Sequence, residues 1–140
     1  MAHRSDLLEL CIADQESVGV TGTHGKGTVS AMITHVLESA DLNPTFIIGG
    51  ILNNYGTNAR AGAGQFAIAE VDESDKSHLN LSPNHVVVNN LEVDHLNFYA
   101  DHAEIVSTMA TFINQNECLQ TLALNQADEG CRTLSGLVKV

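Results

Sequence analysis

The chain has 140 residues, long enough for one domain with its own core. Its 17 Asp+Glu against 6 Lys+Arg leave a net charge of −11, so it offers neither a basic stripe for nucleic acid nor a cationic face for an anionic membrane. Three cysteines, Cys11, Cys118 and Cys131, are far apart, odd in number and form no C-x-x-C pair, which argues against a disulfide framework or a zinc ribbon and for free thiols in a reducing cytoplasm.

The elements alternate along the chain. "SDLLELC" predicts a short helix with Ser5 as its cap, and no signal-peptide core precedes it. "SVGVTG" predicts a buried strand. The segment from Thr28 to Ala40 predicts a helix with Val29, Met32, Ile33, Val36 and Leu37 on one face. "PTFIIGG" reads as a second strand, and "ILNNYGTNARAGAG" as a long glycine-punctuated loop. "QFAIAEV" is a third strand, "SDKSHLNL" a short helix or turn, and "HVVVNNLEV" a fourth strand, apolar at its centre as parallel strands buried on both faces tend to be. "HAEIVSTMATFINQN" predicts a helix with Ile105, Met109 and Phe112 inward. "CLQTLALN" is a fifth strand and "ADEGCRTLSGL" a last short helix. No apolar run approaches the ~18 residues of a membrane span. The alternation predicts an α/β fold of three layers, a mostly parallel sheet with helices on both faces.

In such a sheet, ligands bind beyond the carboxyl ends of the strands. "VGVTGTHGKGTVSAM" places three glycines and a lysine there, between the first strand and the helix it feeds. The phosphate-loop pattern G-x-x-x-x-G-K-[ST] is nearly met. Val20 stands where its first glycine belongs, and Gly27 where a hydroxyl should follow Lys26. Gly22, Gly25 and Gly27 let the backbone wrap closely around phosphates, and Lys26 supplies a point charge. The hydroxyls of Thr23 and Thr28 and the imidazole of His24 flank it. "AEVDESD" brings Glu70 and Asp72 to the same sheet edge, and "NNLEVDH" brings Asn90, Glu92, Asp94 and His95. Carboxylates beside a phosphate site suggest Mg²⁺, a hard ion that bridges protein to phosphate oxygens. Asp72, Glu73 and Asp75 equally suit a solvated turn, and Asp94 and His95 a cap on the next segment. A zinc set from His95, Asp101 and His102 is the alternative metal reading.

"GTHGKGTVSAM", "PTFIIGG", "GTNARAGAGQFAIAEVDESD" and "NNLEVDH", in this order and spacing, resemble the central ATP-binding domain of the Mur ligases over roughly residues 5–135. The resemblance implies a P-loop-like nucleotide-binding domain in which residues 22–28 form the ATP loop, Gly22, Thr23, His24, Gly25, Lys26, Gly27 and Thr28 included. It implies Lys26, Glu70 and His95 as catalytic residues, with Glu70 and His95 on Mg²⁺. It further implies that residues 1–140 form one partial domain, with an N-terminal UDP-binding domain and a C-terminal domain outside it. The activity implied is ATP-dependent joining of a carboxylate to an amine through an acyl-phosphate, with UDP-N-acetylmuramate, L-alanine and ATP as substrates. The segment alone is then expected to be inactive. Asn58 and Arg60 of "GTNAR" are expected on the sugar substrate, with a structural salt bridge the equal alternative for Arg60. One departure stands out: the family usually has a hydroxyl directly after the lysine, here Gly27. Thr28 or a water is the replacement as a metal ligand. Folylpolyglutamate synthetases carry glycine at that position. The ligase that attaches a whole peptide to UDP-muramate, a folylpolyglutamate- or cyanophycin-type enzyme, and a non-catalytic nucleotide-binding module remain alternatives.

Overall fold

The computed structural model describes residues 4–92 and 99–139. The chain runs α1 (Arg4–Ile12), β1 (Glu16–Thr21), α2 (Lys26–Ser39), β2 (Thr45–Leu52), β3 (Thr57–Arg60), β4 (Phe66–Glu70), a 3₁₀ turn (Ser77–Asn80), β5 (His85–Val88), α3 (His102–Gln115), β6 (Thr121–Leu124) and α4 (Glu129–Ser135). The strands form one sheet in the order β3-β2-β4-β1-β5-β6. All neighbours pair parallel except β3, which returns antiparallel on β2. The three-layer α/β architecture expected from the alternation is therefore present, with β1 near the middle of the sheet.

Side-chain parity assigns the faces. Val18, Phe46, Ile48 and Ile68 point to one side and pack with Ile33 and Leu37 of α2. Ala67 and Ala69 point to the other side and meet Ile12 of α1. On that second side Val86 and Val88 pack with Ile105, Met109 and Phe112 of α3 and with Leu134 of α4. The buried apolar residues of this core remove area from water at about 25 cal/mol per Å², the main favourable contribution to folding.

Four expectations need correction. The first helix already includes Ser5, so that residue lies inside the helix and not at its cap. Helix α2 is rotated from the expected face: Ile33 and Leu37 pack inward as expected, but Ser30 and Thr34 are the buried residues and Met32 and Val36 stay 63% and 66% exposed. Small side chains let the helix approach closely, and the Thr34 hydroxyl donates to the Ser30 carbonyl at 2.8 Å, so its burial leaves it satisfied. The fourth strand stops at Val88, because Asn89 and Asn90 turn away to a loop described below. The supposed loop of residues 51–64 contains β3, with Phe46 opposite Arg60 and Leu52 opposite Thr57. Arg60 stacks over Phe46 and Tyr55, 5.2 and 5.5 Å from the ring centres, and pairs with Glu38 of α2. "TNAR" carries no period-2 apolar signal, so pattern alone could not show this edge strand.

Under the 3₁₀ turn lies His78, fully buried and edge-on to Phe112 at 5.3 Å. Neither ring nitrogen has a hydrogen-bond partner among the described residues. Burial pushes its pKa down to about 4, against the smaller opposing pull of Asp75 and Asp72 and with a small push from Lys76.

Candidate functional site

The loop between β1 and α2 is shaped by two glycines. Gly22 has φ +134°, and a side chain there would meet the Asn90 backbone at 2.9 Å. Gly25, φ +79°, caps α2, and a Cβ would come within 2.7 Å of the Asn89 amide. The loop is stapled from the far side of β5. Thr23 N–H donates to the Asn90 carbonyl at 3.0 Å, and His24 N–H to the Asn90 side-chain oxygen at 2.8 Å. Asn89 and Asn90 side-chain amides both donate to the His24 carbonyl, at 2.8 and 3.0 Å. The Thr23 hydroxyl accepts from Glu92 N–H at 2.9 Å, so it serves the loop's own shape. His24 and Thr28 are exposed, the imidazole 3.9 Å from Glu92.

This bracing leaves the opening of α2 bare. The N–H groups of Lys26, Gly27 and Thr28 have no acceptor within the helix, and the helix dipole favours an anion before them. Asn90→Ala is expected to leave the His24 amide to water, to destabilise the chain by about 1 kcal/mol in a urea titration, and to weaken phosphate-ligand binding with it. An unchanged urea midpoint would show that the staple contributes nothing.

Lys26 folds back over the loop. Its ammonium donates to the Gly22 carbonyl at 2.8 Å and to both Glu73 oxygens, at 3.1 and 3.3 Å. Glu73 is 2% exposed. The sequence suggested a solvated turn for Asp72, Glu73 and Asp75; for Glu73 the structure overturns that, because the chain after β4 turns under the loop. The Thr21 hydroxyl donates to Glu73 at 3.4 Å, and the Tyr99 hydroxyl donates to the Glu73 carbonyl. Burial pushes the Asp72 carboxyl up, but hydrogen bonds from Ser74 and the Lys26 charge outweigh it, and the net shift is downward.

Glu70, at the carboxyl end of β4, lies on the α2 side of the sheet. One oxygen accepts from Gly49 N–H at 2.8 Å and lies 3.5 Å from where a Gly27 Cβ would stand. It is an oxygen donor beside the phosphate loop, the chemistry Mg²⁺ takes. Among the described residues no three His, Cys, Asp or Glu side chains converge on a metal position. Asp94 and His95 lie outside the described residues. Of the alternative zinc set, Asp101 caps α3 by accepting from Glu104 N–H at 2.8 Å, and a His102 ring nitrogen lies 2.8 Å from the Leu91 carbonyl.

A cleft of about 490 Å³ opens from Gly27 and Thr28 along α2, with Met32, Ile51, Asn53 and Asn54 on its walls. It explains why Met32 and Ile51 are left uncovered. Arg60 does not reach this edge. Its register partner Phe46 is level with Ile68, two residues short of Glu70, and its guanidinium is engaged by Glu38. Asn58 lies exposed on the same edge strand. Sequence pattern did not single out Glu73, Asn89, Asn53 or Asn54. Only the "NN" at 89–90, polar directly after an apolar strand, carried a signal.

A profile of the Mur ligase middle domain matches residues 20–139. The UDP-N-acetylmuramate–L-alanine ligase of Geotalea uraniireducens strain Rf4 is 46% identical over 112 residues, 80% of this chain and 24% of that protein. The chain thus spans about a quarter of that relative's length. Among solved structures, the ligase joining UDP-N-acetylmuramate to L-alanyl-γ-D-glutamyl-meso-diaminopimelate from Neisseria meningitides superposes with a TM-score of 0.83 at 28% identity, over 94% of this chain and 46% of that one. UDP-N-acetylmuramate-alanine ligase from Thermotoga maritima gives 0.76 at 31%, over 93% of this chain and 29% of that one.

Proposed function

The chain belongs to the Mur ligase family as a middle domain, and from that premise we propose that it is the nucleotide-binding part of an ATP-dependent ligase acting on UDP-N-acetylmuramate and L-alanine in the cytoplasm. The supporting observation is the braced loop 22–28, with the bare N–H groups of α2 and the Lys26 ammonium on one side and Glu70 on the other. In this reading the loop amides and Lys26 hold the β- and γ-phosphates of ATP. The lactyl carboxylate of UDP-N-acetylmuramate attacks the γ-phosphorus, and ADP leaves. The amine of L-alanine then attacks the acyl carbon, loses its proton and expels phosphate. Catalysis of the first step is positioning plus charge neutralisation.

Glu70 fits Mg²⁺ as a carboxylate beside the loop, and we assign His95 and Thr28 to the same ion. Bound there, Mg²⁺ supplies charge neutralisation at the transferred phosphoryl group. The cleft beside Gly27 is the place for the acceptor carboxylate, with Asn53 and Asn54 as added polar contacts. Arg60 then acts on the sugar only indirectly, by fixing β3 and Asn58. The higher structural likeness to the tripeptide-adding relative favours one second reading, in which the amine belongs to a peptide that begins with L-alanine.

The test is a titration of the chain with Mg·ADP, followed by incubation with ATP, Mg²⁺, UDP-N-acetylmuramate and either L-alanine or the tripeptide. Mg²⁺-dependent nucleotide binding is expected. Product is not expected from these residues alone, since holding the reactants together carries about 7–11 kcal/mol of the barrier and most of each relative lies beyond this segment. No binding at millimolar Mg·ADP rejects the reading. Gly27→Ser is expected to place a hydroxyl beside Glu70, where the space is ordinary contact distance, and to tighten Mg·ADP several-fold; isothermal calorimetry at fixed nucleotide and varied Mg²⁺ checks it.

A further inference from the structure

We propose that Glu73 is the resting counter-ion of the phosphate loop, a built-in anion that a polyphosphate must displace from Lys26 before it can bind. The proposal rests on reading Lys26 as a phosphate ligand and adds a residue that sets which form of the ligand is accepted.

An ammonium has three N–H donors. Lys26 spends them on Gly22 and the two oxygens of Glu73, with lengths of 2.8, 3.3 and 3.1 Å. A phosphate oxygen that draws the ammonium toward the loop amides therefore competes with these acceptors. The Gly22 carbonyl belongs to the loop itself, so the contact to the carboxylate is the one the lysine loosens as it turns. Glu73 is held in place from behind. Its carbonyl accepts from the buried Tyr99 hydroxyl, and one carboxylate oxygen accepts from Thr21 at the end of β1. Held at both its backbone and its carboxylate and only 2% exposed, it stays a negative charge beside the cradle after the lysine has turned to a ligand.

That remaining charge discriminates. A metal-free polyphosphate brings several negative charges toward Glu73 and is repelled, the more strongly because the site is screened from water. A metal-bound nucleotide brings fewer and is repelled less. A purely structural ion pair has no such consequence: its loss would lower stability and leave the difference between metal-free and metal-bound anions where it was.

The experiment is calorimetric titration of the chain and its variants with inorganic tripolyphosphate in the absence of metal, and with Mg·ADP. Circular dichroism verifies the fold of each variant. Glu73→Gln is expected to bind tripolyphosphate about tenfold tighter than the wild type, a shift of one decade in Kd, and to gain less for Mg·ADP. Glu73→Asp, which withdraws the carboxylate by one methylene, is expected to fall between the two, and it carries the test should the glutamine variant not fold. Adding Lys26→Ala to Glu73→Gln is expected to erase the gain. If Glu73→Gln binds measurably but no tighter than wild type, while the double variant binds more weakly, the counter-ion role is overturned and the phosphate role of Lys26 stands. If the single and double variants bind alike, the phosphate role of Lys26 falls and the counter-ion role with it. An equal gain for tripolyphosphate and Mg·ADP overturns the discrimination.

Discussion

Lys26→Ala is expected to weaken Mg·ADP binding roughly a hundredfold, the scale of losing one charged donor to a phosphoryl oxygen. It is also expected to destabilise the chain, because Glu73 would be left as a buried and uncompensated charge. Breaking such a pair from one side costs about 3 kcal/mol or more. These two effects separate in the double variant Lys26→Ala with Glu73→Gln. Its urea midpoint should return most of the way to wild type, whereas its affinity for Mg·ADP should remain low. Wild-type affinity in either variant would remove Lys26 from the phosphate site. An unshifted urea midpoint in the single variant would show that Glu73 is better solvated than its burial implies.

Acid is expected to unfold this chain earlier than its carboxylates alone would cause. His78 has a pKa of about 4 in the folded protein against 6.5 as its ordinary value, lowered first by burial. Above pH 6.5 the ring is neutral in both states and its contribution is complete. As pH falls from 6.5 toward 4, the unfolded chain takes up a proton that the native chain refuses, so stability declines across that window by about 3 kcal/mol. Carboxylates with lowered pKa values, Asp72 and Asp128 among them, begin to add their own loss only toward the acid end of that range and continue below it. Urea midpoints at pH 7, 5 and 4 measure the decline. His78→Leu keeps an apolar packing partner for Phe112 and removes the titrating ring, and the decline between pH 6.5 and 4 should flatten. A decline of undiminished size in that variant would place its origin elsewhere.

The parts of the fold that a sequence shows are those with strong periodicity or special backbone chemistry. Central strands such as "HVVV" and the inward residues of α3 were legible because burial on both faces demands apolar runs, and Ile105, Met109 and Phe112 fall where helical spacing puts them. The glycines of the loop were legible because only glycine accepts the φ values of positions 22 and 25 without strain. The failures have equally definite causes. β3 is an edge strand held by a stacked arginine and a salt bridge, which leave no alternation in "TNAR". Met32 and Val36 looked inward on a helical wheel, but α2 approaches the sheet through Ser30 and Thr34 and leaves the larger side chains to a cleft and the surface. Glu73 looked like one charge of an acidic turn, and only the path of the chain beneath the loop shows that it meets Lys26. Charge runs are ambiguous in this way, because burial is decided by tertiary structure that the run itself does not encode.

The staple on the loop also fixes when the loop can exist. Thr23 and His24 are held by Asn90, 66 residues further on from His24. Ser17 at the start of β1 is likewise held by Asn84, 67 residues on. Bringing such distant segments together requires closure of a long chain, and contacts of this kind form late and slowly. A ribosome that has released the chain only as far as β4 has therefore delivered every glycine of the motif and the lysine, yet no shaped cradle. The loop takes its shape when β5 docks alongside β1 and the two asparagines that follow it close over His24. Under the proposed function a nucleotide binds only that last arrangement, and its presence is then expected to slow unfolding while leaving the rate of folding almost untouched.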